Sequence, residues 1–217
     1  WDGAIASYRA AIRLKPDVAT WHYNLGNALA AKGDPDAAIA SFREAIRLEP
    51  EDAEALCNLG LALTRRGRSR EALPWLRKGH EIGSKRPGWA YPSRKWVKSA
   101  ERQAELEDRL DRPLSGESGP RDALERVAFA ELLYARSRHA ESARMWAQAL
   151  AEDAALAEDL AAGHRYRAAC SAALAAAGGG VDAAQCRGRA LEWLRGDLAA
   201  RHREATELIA TLEHWKT

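Results

Sequence analysis

Apolar residues recur at intervals of three and four positions along most of the chain, with polar residues between them. This spacing is that of an amphipathic α-helix. Alanine, leucine, arginine and glutamate fill the long segments, while glycine and proline stand at the junctions between them. The pattern predicts an all-α chain built from short helices.

These helices follow a repeat. One interval, 34 residues, separates several pairs of small or helix-breaking residues: Pro16 and Pro50, Gly26 and Gly60, and Ala38 and Ala72. An interval of this length is typical of a helix–turn–helix repeat.

The most regular copy spans residues 19–52. Its first helix is predicted from Thr20 to Ala31, and its second runs to about Leu48. Asp34 is placed to cap the second helix, and Pro35 falls in its first turn, where a missing N–H costs nothing. Small residues are expected where the two antiparallel helices approach closely, at Gly26, Ala38 and Ala45.

This copy resembles a tetratricopeptide repeat (TPR). The spacings that carry the resemblance are those of Leu25-Gly26, Ala38-x3-Phe42, Ala45 and Pro50. The resemblance implies an α-solenoid of antiparallel helix hairpins and a non-catalytic protein that binds a protein or an extended peptide.

Three regions follow from the repeat pattern. Residues 1–84 are predicted to be regular TPRs, with a half repeat at 1–16 and full repeats at 19–52 and 53–84. Pro74 is expected in the first turn of its helix. Residues 85–120 hold an irregular aromatic segment, a helix from Ser93 to Leu110, and a linker from Asp111 to Pro120.

Residues 121–217 are predicted to be a degenerate TPR-like half. Asp122 and Glu125 give it a start like a capping box. Trp146 stands where the regular repeat has Phe42. A turn is expected at residues 178–180, and Thr206 to Trp215 should form a last helix that covers the stack.

The first residues match only the second helix of a repeat. The apolar face predicted there consists of Ile5, Tyr8, Ile12 and Leu14. Because the partner helix is missing, this end is expected either to fray or to support a homodimer. The chain therefore resembles a fragment of a longer protein.

The composition of the chain argues against several classes of function. Hydrophobic residues make up 47% and charged residues 29%, so overall disorder is not expected. The net charge of +2 gives no reason to expect nucleic-acid binding, and no apolar run is long enough for a membrane. Three scattered cysteines predict neither a disulfide framework nor a metal site, and a cytoplasmic setting is the default. No cofactor or metal is predicted.

The TPR resemblance places the first helix of each repeat along a concave groove. Groove contacts are thereby assigned to Tyr23, Asn24, Asn27, Asn58 and Arg65, among a wider set that includes Glu54 and Cys57. Asn24 and Asn58 occupy the same repeat position. Either they form a ladder that pairs with a peptide backbone, or each braces its own repeat. Glu54 opposes a clamp for a peptide carboxylate.

Aromatic residues crowd the irregular segment, at Trp89, Tyr91 and Trp96. They either seal the end of the repeat stack or form a second peptide-binding patch.

A second resemblance covers more of the chain. The regular repeats, the run R-P-G-W-A-Y-P-S-R-K-W at 86–96 and the half from Tyr166 to Trp215 look like the C-terminal extension of planctomycete-type bacterial serine/threonine kinases. This implies a regulatory or substrate-docking arm of a signalling kinase whose catalytic domain lies upstream. The chain itself contains no kinase catalytic motif, so it is predicted not to be an enzyme.

Arginines gather near the end of the chain, at Arg187, Arg189, Arg195, Arg201 and Arg203. RNA binding through them is the remaining alternative. Acidic residues interleave with them, which favours a solvated helix face instead.

Overall fold

The computed structural model describes residues 1–110, 119–179 and 183–214, with side chains through residue 206. These ranges contain eleven helices and no strand, which confirms the all-α prediction. The chain divides into two compact units, Trp1–Arg112 and Pro113–Thr217.

The first unit contains six helices that pack in chain order, each against the next. Their bounds are α1 Asp2–Leu14, α2 Ala19–Lys32, α3 Pro35–Leu48, α4 Ala53–Arg65, α5 Ser69–Gly83 and α6 Ser93–Leu110. The helices of the complete repeat and the helix that begins at Ser93 lie where the sequence predicts them. Helices α2 with α3 and α4 with α5 form the two regular hairpins.

The turn between α2 and α3 has the predicted chemistry. Gly33 ends α2 with a φ of 88°, in the left-handed region that glycine adopts without strain. The Asp34 carboxylate accepts a hydrogen bond from the backbone N–H of Ala37, and Pro35 opens α3. The local sequence alone therefore determines this turn.

Glycines allow the hairpin helices to touch. A methyl group placed on Gly26 would lie 2.6 Å from Cε1 of Phe42, and one on Gly60 would lie 2.4 Å from Cγ of Leu76. Phe42 and Leu76 are each only 1% exposed. The two repeats therefore pack in the same way: a buried side chain of the second helix lies against a glycine of the first helix.

One detail of the first unit differs from the prediction. Pro74 lies inside α5 and not in its first turn, because the helix already begins at Ser69. Proline has no N–H, so the turn of α5 at this point lacks one backbone hydrogen bond. Leu14 is 88% exposed, so the buried face of α1 is limited to Ile5 with partial cover of Tyr8 and Ile12.

A carboxylate from α6 caps α5. Arg68, at the N-cap of α5, makes no side-chain capping bond. The Glu107 carboxylate instead accepts hydrogen bonds from the backbone N–H groups of Ser69 and Arg70. Glu107 is 2% exposed, and Ser69 also donates its hydroxyl to Oε1 of Gln103 at 2.8 Å. These polar contacts of α6 add to its apolar packing, in which Ala100 is buried in the core of the first unit.

The second unit has five helices: α7 Ala123–Ala135, α8 His139–Glu152, α9 Ala154–Glu158, α10 His164–Ala177 and α11 Ala183–His214. Helix α7 packs on α8, α8 on α10, and α10 on α11. Asp122 accepts from the N–H of Glu125, which confirms the predicted start of α7. Trp146 is 1% exposed, like Phe42 in the first unit.

The end of the second unit is built differently from the prediction. Residues 206–214 do not form a separate last helix but continue α11, which is 32 residues long. Trp215 and residues 111–118 of the predicted linker lie outside the described residues, as does Gly180 of the predicted turn. The other two residues of that turn, 178 and 179, follow α10.

Candidate functional site

The first unit contains an open hollow of about 370 Å³ between α2 and α4. Its rim is polar and its floor is made of small and apolar residues. The lining residues are Asn27, Ala30, Ala31, Phe42, Asn58, Leu61, Ala62 and Arg65. Three of the five predicted groove residues therefore line one hollow, because the 34-residue repeat brings equivalent positions of α2 and α4 side by side.

A hydrogen-bonded network crosses from α4 to α2 at this hollow. The Asn58 side-chain N–H₂ donates to Oδ1 of Asn27 at 2.9 Å and lies 3.4 Å from the Tyr23 hydroxyl. Tyr23 in turn donates to Oε2 of Glu54 at 3.1 Å. These four side chains are half-buried. The donors of Asn58 are thus directed to its own protein, while its carbonyl oxygen accepts no hydrogen bond among the described residues.

The electrostatics of the network follow from burial. Burial, together with the neighbouring Glu54 charge and against an opposing hydrogen bond with Asn27, raises the pKa of Tyr23 to about 12. Tyr23 is therefore neutral, and it acts as a hydrogen-bond donor to Glu54 across the physiological range.

The remaining predicted residues, Asn24 and Arg65, differ from the network. Asn24 is half-buried on α2, and its side chain makes no hydrogen bond within the described part of the chain. Arg65 is exposed at the rim of the hollow and has no carboxylate partner there. Both side chains therefore keep donors that the fold does not use.

Cys57 does not face the groove, contrary to the wider set of predicted positions. It is 2% exposed, and its Sγ lies 2.7 Å from where a methyl group on Gly79 would stand. Burial, together with the charges of Glu54 and Asp52, raises the pKa of the Cys57 thiol to about 11. The close contact between α4 and α5 occupies this face of α4, so the thiol is a packing residue.

The aromatic residues of the irregular segment form one cluster. The ring centroids of Trp89 and Tyr91 are 4.8 Å apart, and those of Tyr91 and Trp96 are 6.1 Å apart. The Glu54 charge raises the pKa of Tyr91. The same carboxylate therefore acts electrostatically on both the aromatic cluster and the Tyr23–Asn58 network.

Trp89 and Tyr91 have different roles in this cluster. The Trp89 ring lies on Gly83, where an added methyl group would be 2.5 Å away, and its Nε1–H donates to Oγ of Ser93 at 3.1 Å. Ser93 Oγ is also 2.8 Å from Nδ1 of His80. Trp89 thus anchors the segment to the end of α5, whereas Tyr91 remains 44% exposed. No sequence motif indicates this Ser93 junction.

The second unit repeats the cross-helix bridge with other chemistry. Arg167 follows Tyr166 as Asn24 follows Tyr23, and Glu131 follows Ala130 as Asn27 follows Gly26. Arg167 forms an ion pair with Glu131, so α10 joins α7 where Asn58 joins α4 to α2. An apolar hollow of about 310 Å³ lies beside this pair, with Tyr134 and Tyr166 in its wall.

The arginines of α11 are partly paired. Arg201 contacts Asp197 at 2.8 Å and Arg203 lies 3.9 Å from Glu158. These pairs favour a solvated helix face over an RNA-binding surface. Among the described residues, no cluster of histidine, cysteine and carboxylate side chains could hold a metal ion. No helix in these ranges combines the length and apolar character needed to cross a membrane.

Comparisons with known proteins identify the repeats. The sequence model of the tetratricopeptide repeat family matches residues 1–48 and 23–87. A search of curated protein sequences found no match.

Solved structures of repeat proteins resemble the fold at low identity. YrrB, described as a TPR protein with an unusual peptide-binding site, is 19% identical, with a TM-score of 0.38 over 94% of this chain and 97% of its own. The P58(IPK) TPR domain is 16% identical, with a TM-score of 0.45 over 97% of this chain and 62% of its own. MamA from Desulfovibrio magneticus is 14% identical, with a TM-score of 0.33 over 83% and 96%. At such scores these likenesses indicate nothing about the ligand of this chain. The family model thus matches the region of the chain that contains the two regular helix hairpins, α2 with α3 and α4 with α5.

Proposed function

We propose that the first unit binds an extended peptide segment of a partner protein in the hollow between α2 and α4. The single observation that supports this most is the unused amide of Asn24, half-buried beside a network in which the neighbouring amides are paired. A half-buried amide without a partner is costly unless a ligand or water satisfies it. An extended backbone has the donors and acceptors to do so.

The hollow suits a main chain better than a bulky group. The floor of the hollow includes the small side chains of Ala30, Ala31 and Ala62, so a peptide backbone can approach α2 closely. Asn58 supplies its carbonyl oxygen in the lining, and Asn24, which lies three residues before Asn27 on α2 and outside the lining, supplies both an N–H₂ donor and a carbonyl acceptor next to it. Main-chain pairing of this kind gives affinity with little dependence on the ligand's side chains.

Arg65 adds a directional element to this binding. Its guanidinium is exposed at the rim and has no carboxylate partner within the described residues. A carboxylate on the ligand, either a side chain or a C-terminus, would form a bidentate pair with it. Glu54 lies about three turns before Arg65 on α4, so the two charges favour one polarity of the peptide.

The residues of the site carry out binding and no chemical step. The pKa of Tyr23 is raised, which keeps its phenol neutral and poorly nucleophilic. The Cys57 thiol, whose pKa is also raised, is buried away from the hollow. The proposed role is therefore that of an interaction module.

A randomised peptide library displayed on phage, selected on the purified protein, would test the proposal. Selected peptides should bind Asn24→Ala at least about tenfold more weakly, since a lost hydrogen bond to a half-buried group costs about 1–3 kcal/mol. Gln148→Ala removes an exposed amide on α8 and is the matched control. Equal binding by all three proteins would refute the hollow as the site.

The kinase association and the homodimer remain proposals. The first rests on the sequence at residues 86–96, and a kinase catalytic loop encoded upstream of Trp1 would support it. The second rests on the outer face of α1, where Trp1 is 71% exposed. Light scattering of the purified protein, with Trp1→Ser as the variant, would detect such a dimer.

A further inference from the structure

A second hollow, of about 520 Å³, lies between the end of α5 and the start of α6. Its wall combines aromatic and basic side chains. The residues that matter to its chemistry are His80, Trp89, Tyr91, Arg94, Lys95 and Lys98. It contains no acidic residue in its lining.

Three cations at the start of α6 differ from several other cations of the first unit. Arg43, Arg70 and Arg77 each form an ion pair with a carboxylate of a neighbouring helix, to Glu71, Asp108 and Glu101 respectively. Arg94, Lys95 and Lys98 form no ion pair or hydrogen bond with any described residue. They are exposed and converge on the same hollow.

Their position on the helix is also unfavourable for the fold. Helix α6 begins at Ser93, so all three cations lie in its first two turns, and its first turn carries no acidic residue. The N-terminal end of a helix bears partial positive charge, which favours carboxylates and disfavours lysine and arginine there. The fold does not compensate for this arrangement, whereas an anion in the hollow would.

The hollow is held open by buried contacts. Ser93, 1% exposed, bonds both the Trp89 indole and the His80 ring, so the wall that faces the cations is fixed. Tyr91 remains 44% exposed beside them and offers a ring surface to an apolar group.

We infer that this hollow binds an acidic segment of a partner protein, with carboxylates on Arg94, Lys95 and Lys98 and an apolar side chain against Tyr91. The inference does not depend on the hollow between α2 and α4. It concerns different residues and a ligand of different chemistry.

A protein segment fits better than a single-stranded nucleic acid. Stacking of successive bases needs several free ring faces along a basic track. Here Trp89 is packed on Gly83 and Tyr91, and the three cations lie within two turns of one helix. The site therefore offers a short cluster of cations and one exposed ring, which suits a short acidic segment with an apolar side chain.

Fluorescence anisotropy would test this inference with a labelled peptide of alternating Glu and Gly that contains one Phe. The same peptide with Gln for Glu measures the charge requirement, and a labelled oligouridylate measures nucleic-acid binding. The test variant is Lys95→Glu/Lys98→Glu. Its carboxylates lie where the helix dipole favours them, so α6 should fold at least as well as in the parent, as circular dichroism would show.

The control variant, Arg9→Glu/Lys78→Glu, changes the net charge equally at exposed residues outside the hollow. We expect the acidic peptide to bind the parent, the control and Asn24→Ala alike, and to bind the test variant at least about tenfold more weakly. The Gln peptide should also bind at least about tenfold more weakly.

Three results would overturn the inference. One is equal binding of the acidic peptide by the parent and by Lys95→Glu/Lys98→Glu. A second is an equal loss in the control variant, since that would reflect net charge alone. The third is displacement of the peptide by oligouridylate at a lower concentration than by unlabelled peptide, which would assign the hollow to nucleic acid.

Discussion

The side chain of Asn58 donates a hydrogen bond to Oδ1 of Asn27 across 2.9 Å and so joins helix α4 to helix α2. In the second unit, Arg167 and Glu131 make the equivalent connection as an ion pair. Adjacent repeats are thus held together by a polar bridge at the same two repeat positions. The bridge in the first unit uses an amide that a simple asparagine ladder would present to a ligand.

Asn58 belongs to this bridge and Asn24, at the equivalent repeat position, does not. The two asparagines should therefore contribute differently to stability. Asn58→Ala should lower the free energy of unfolding by about 1 kcal/mol, because Asn27 loses its partner. Asn24→Ala should change it by less than about 0.5 kcal/mol, because Asn24 has no partner to lose. Urea unfolding followed by circular dichroism measures both values. A larger loss for Asn24→Ala than for Asn58→Ala would contradict the assignment.

Glu107 should be essential for the attachment of α6. Glu107→Ala removes the cap from two backbone N–H groups of α5, and the free energy of unfolding should fall by about 1–3 kcal/mol. Glu107→Gln should cost less, since the amide oxygen still accepts one of them. Glu105→Ala, at an exposed position on the same helix, is the control and should be close to neutral. Chemical denaturation of the four proteins in parallel would show whether this order holds.

The same substitution should have opposite effects at two glycines. Gly60→Ala brings a methyl group to 2.4 Å from Cγ of Leu76, which is buried and cannot move aside, and should cost about 1–3 kcal/mol of stability. Gly3→Ala, on α1, meets no atom within 4 Å and should stabilise that helix by up to about 1 kcal/mol. Thermal unfolding midpoints compare them directly. Stabilisation by Gly60→Ala would show that α4 and α5 are less closely packed than described.

Alkaline pH should weaken the Tyr23 network. The pKa of Tyr23 is raised to about 12 in the folded protein, from an ordinary value near 10. The fold therefore favours the neutral phenol, and this contribution to stability is complete below about pH 10 and disappears as the pH rises toward 12. Tyr23→Phe should flatten the fall in unfolding free energy over that interval. An unchanged slope would mean that other groups dominate it.

Cys57 should be the least reactive of the three thiols. Its burial and raised pKa, about 11, keep it protonated and inaccessible, whereas Cys170 and Cys186 are partly exposed. Alkylation at neutral pH, followed by mass spectrometry of the peptides, should modify Cys57 only when denaturant opens the contact between α4 and α5. Rapid modification in the native protein would place its thiol at the surface.

Several features of the fold could be predicted from local sequence. The 34-residue spacing predicted the hairpins, and Asp34 with Pro35 predicted the start of α3, because a cap and a helix start depend on neighbouring residues. Pro74 was misplaced since its helix begins earlier than the repeat comparison suggested. Leu14 shares the predicted apolar face with Ile5 but is exposed, because helical periodicity shows which residues share a face and not whether another helix covers it.

The contacts of the candidate site residues could be predicted from the sequence only in part. Repeat positions grouped Tyr23, Asn27 and Asn58, yet nothing in their spacing showed that their polar groups would bond to one another. The connection of Glu54 to Tyr91 spans two helices and an irregular segment, so no periodicity reports it. Glu107 looked like one more charge on a polar helix face.

By itself, the sequence determined which segments are helical, where the regular hairpins turn, and which small residues let them touch, because these depend on short-range geometry that repeats every 34 residues. Only the tertiary structure decided which polar groups pair. It directed the donors of Asn58 to Asn27 and Tyr23 and placed Glu107 at the start of α5. Within the described ranges, it left Asn24 and the cations at the start of α6 without partners. Hydrogen bonds and ion pairs depend on distances between side chains far apart in the chain, and those distances exist only after the helices have packed.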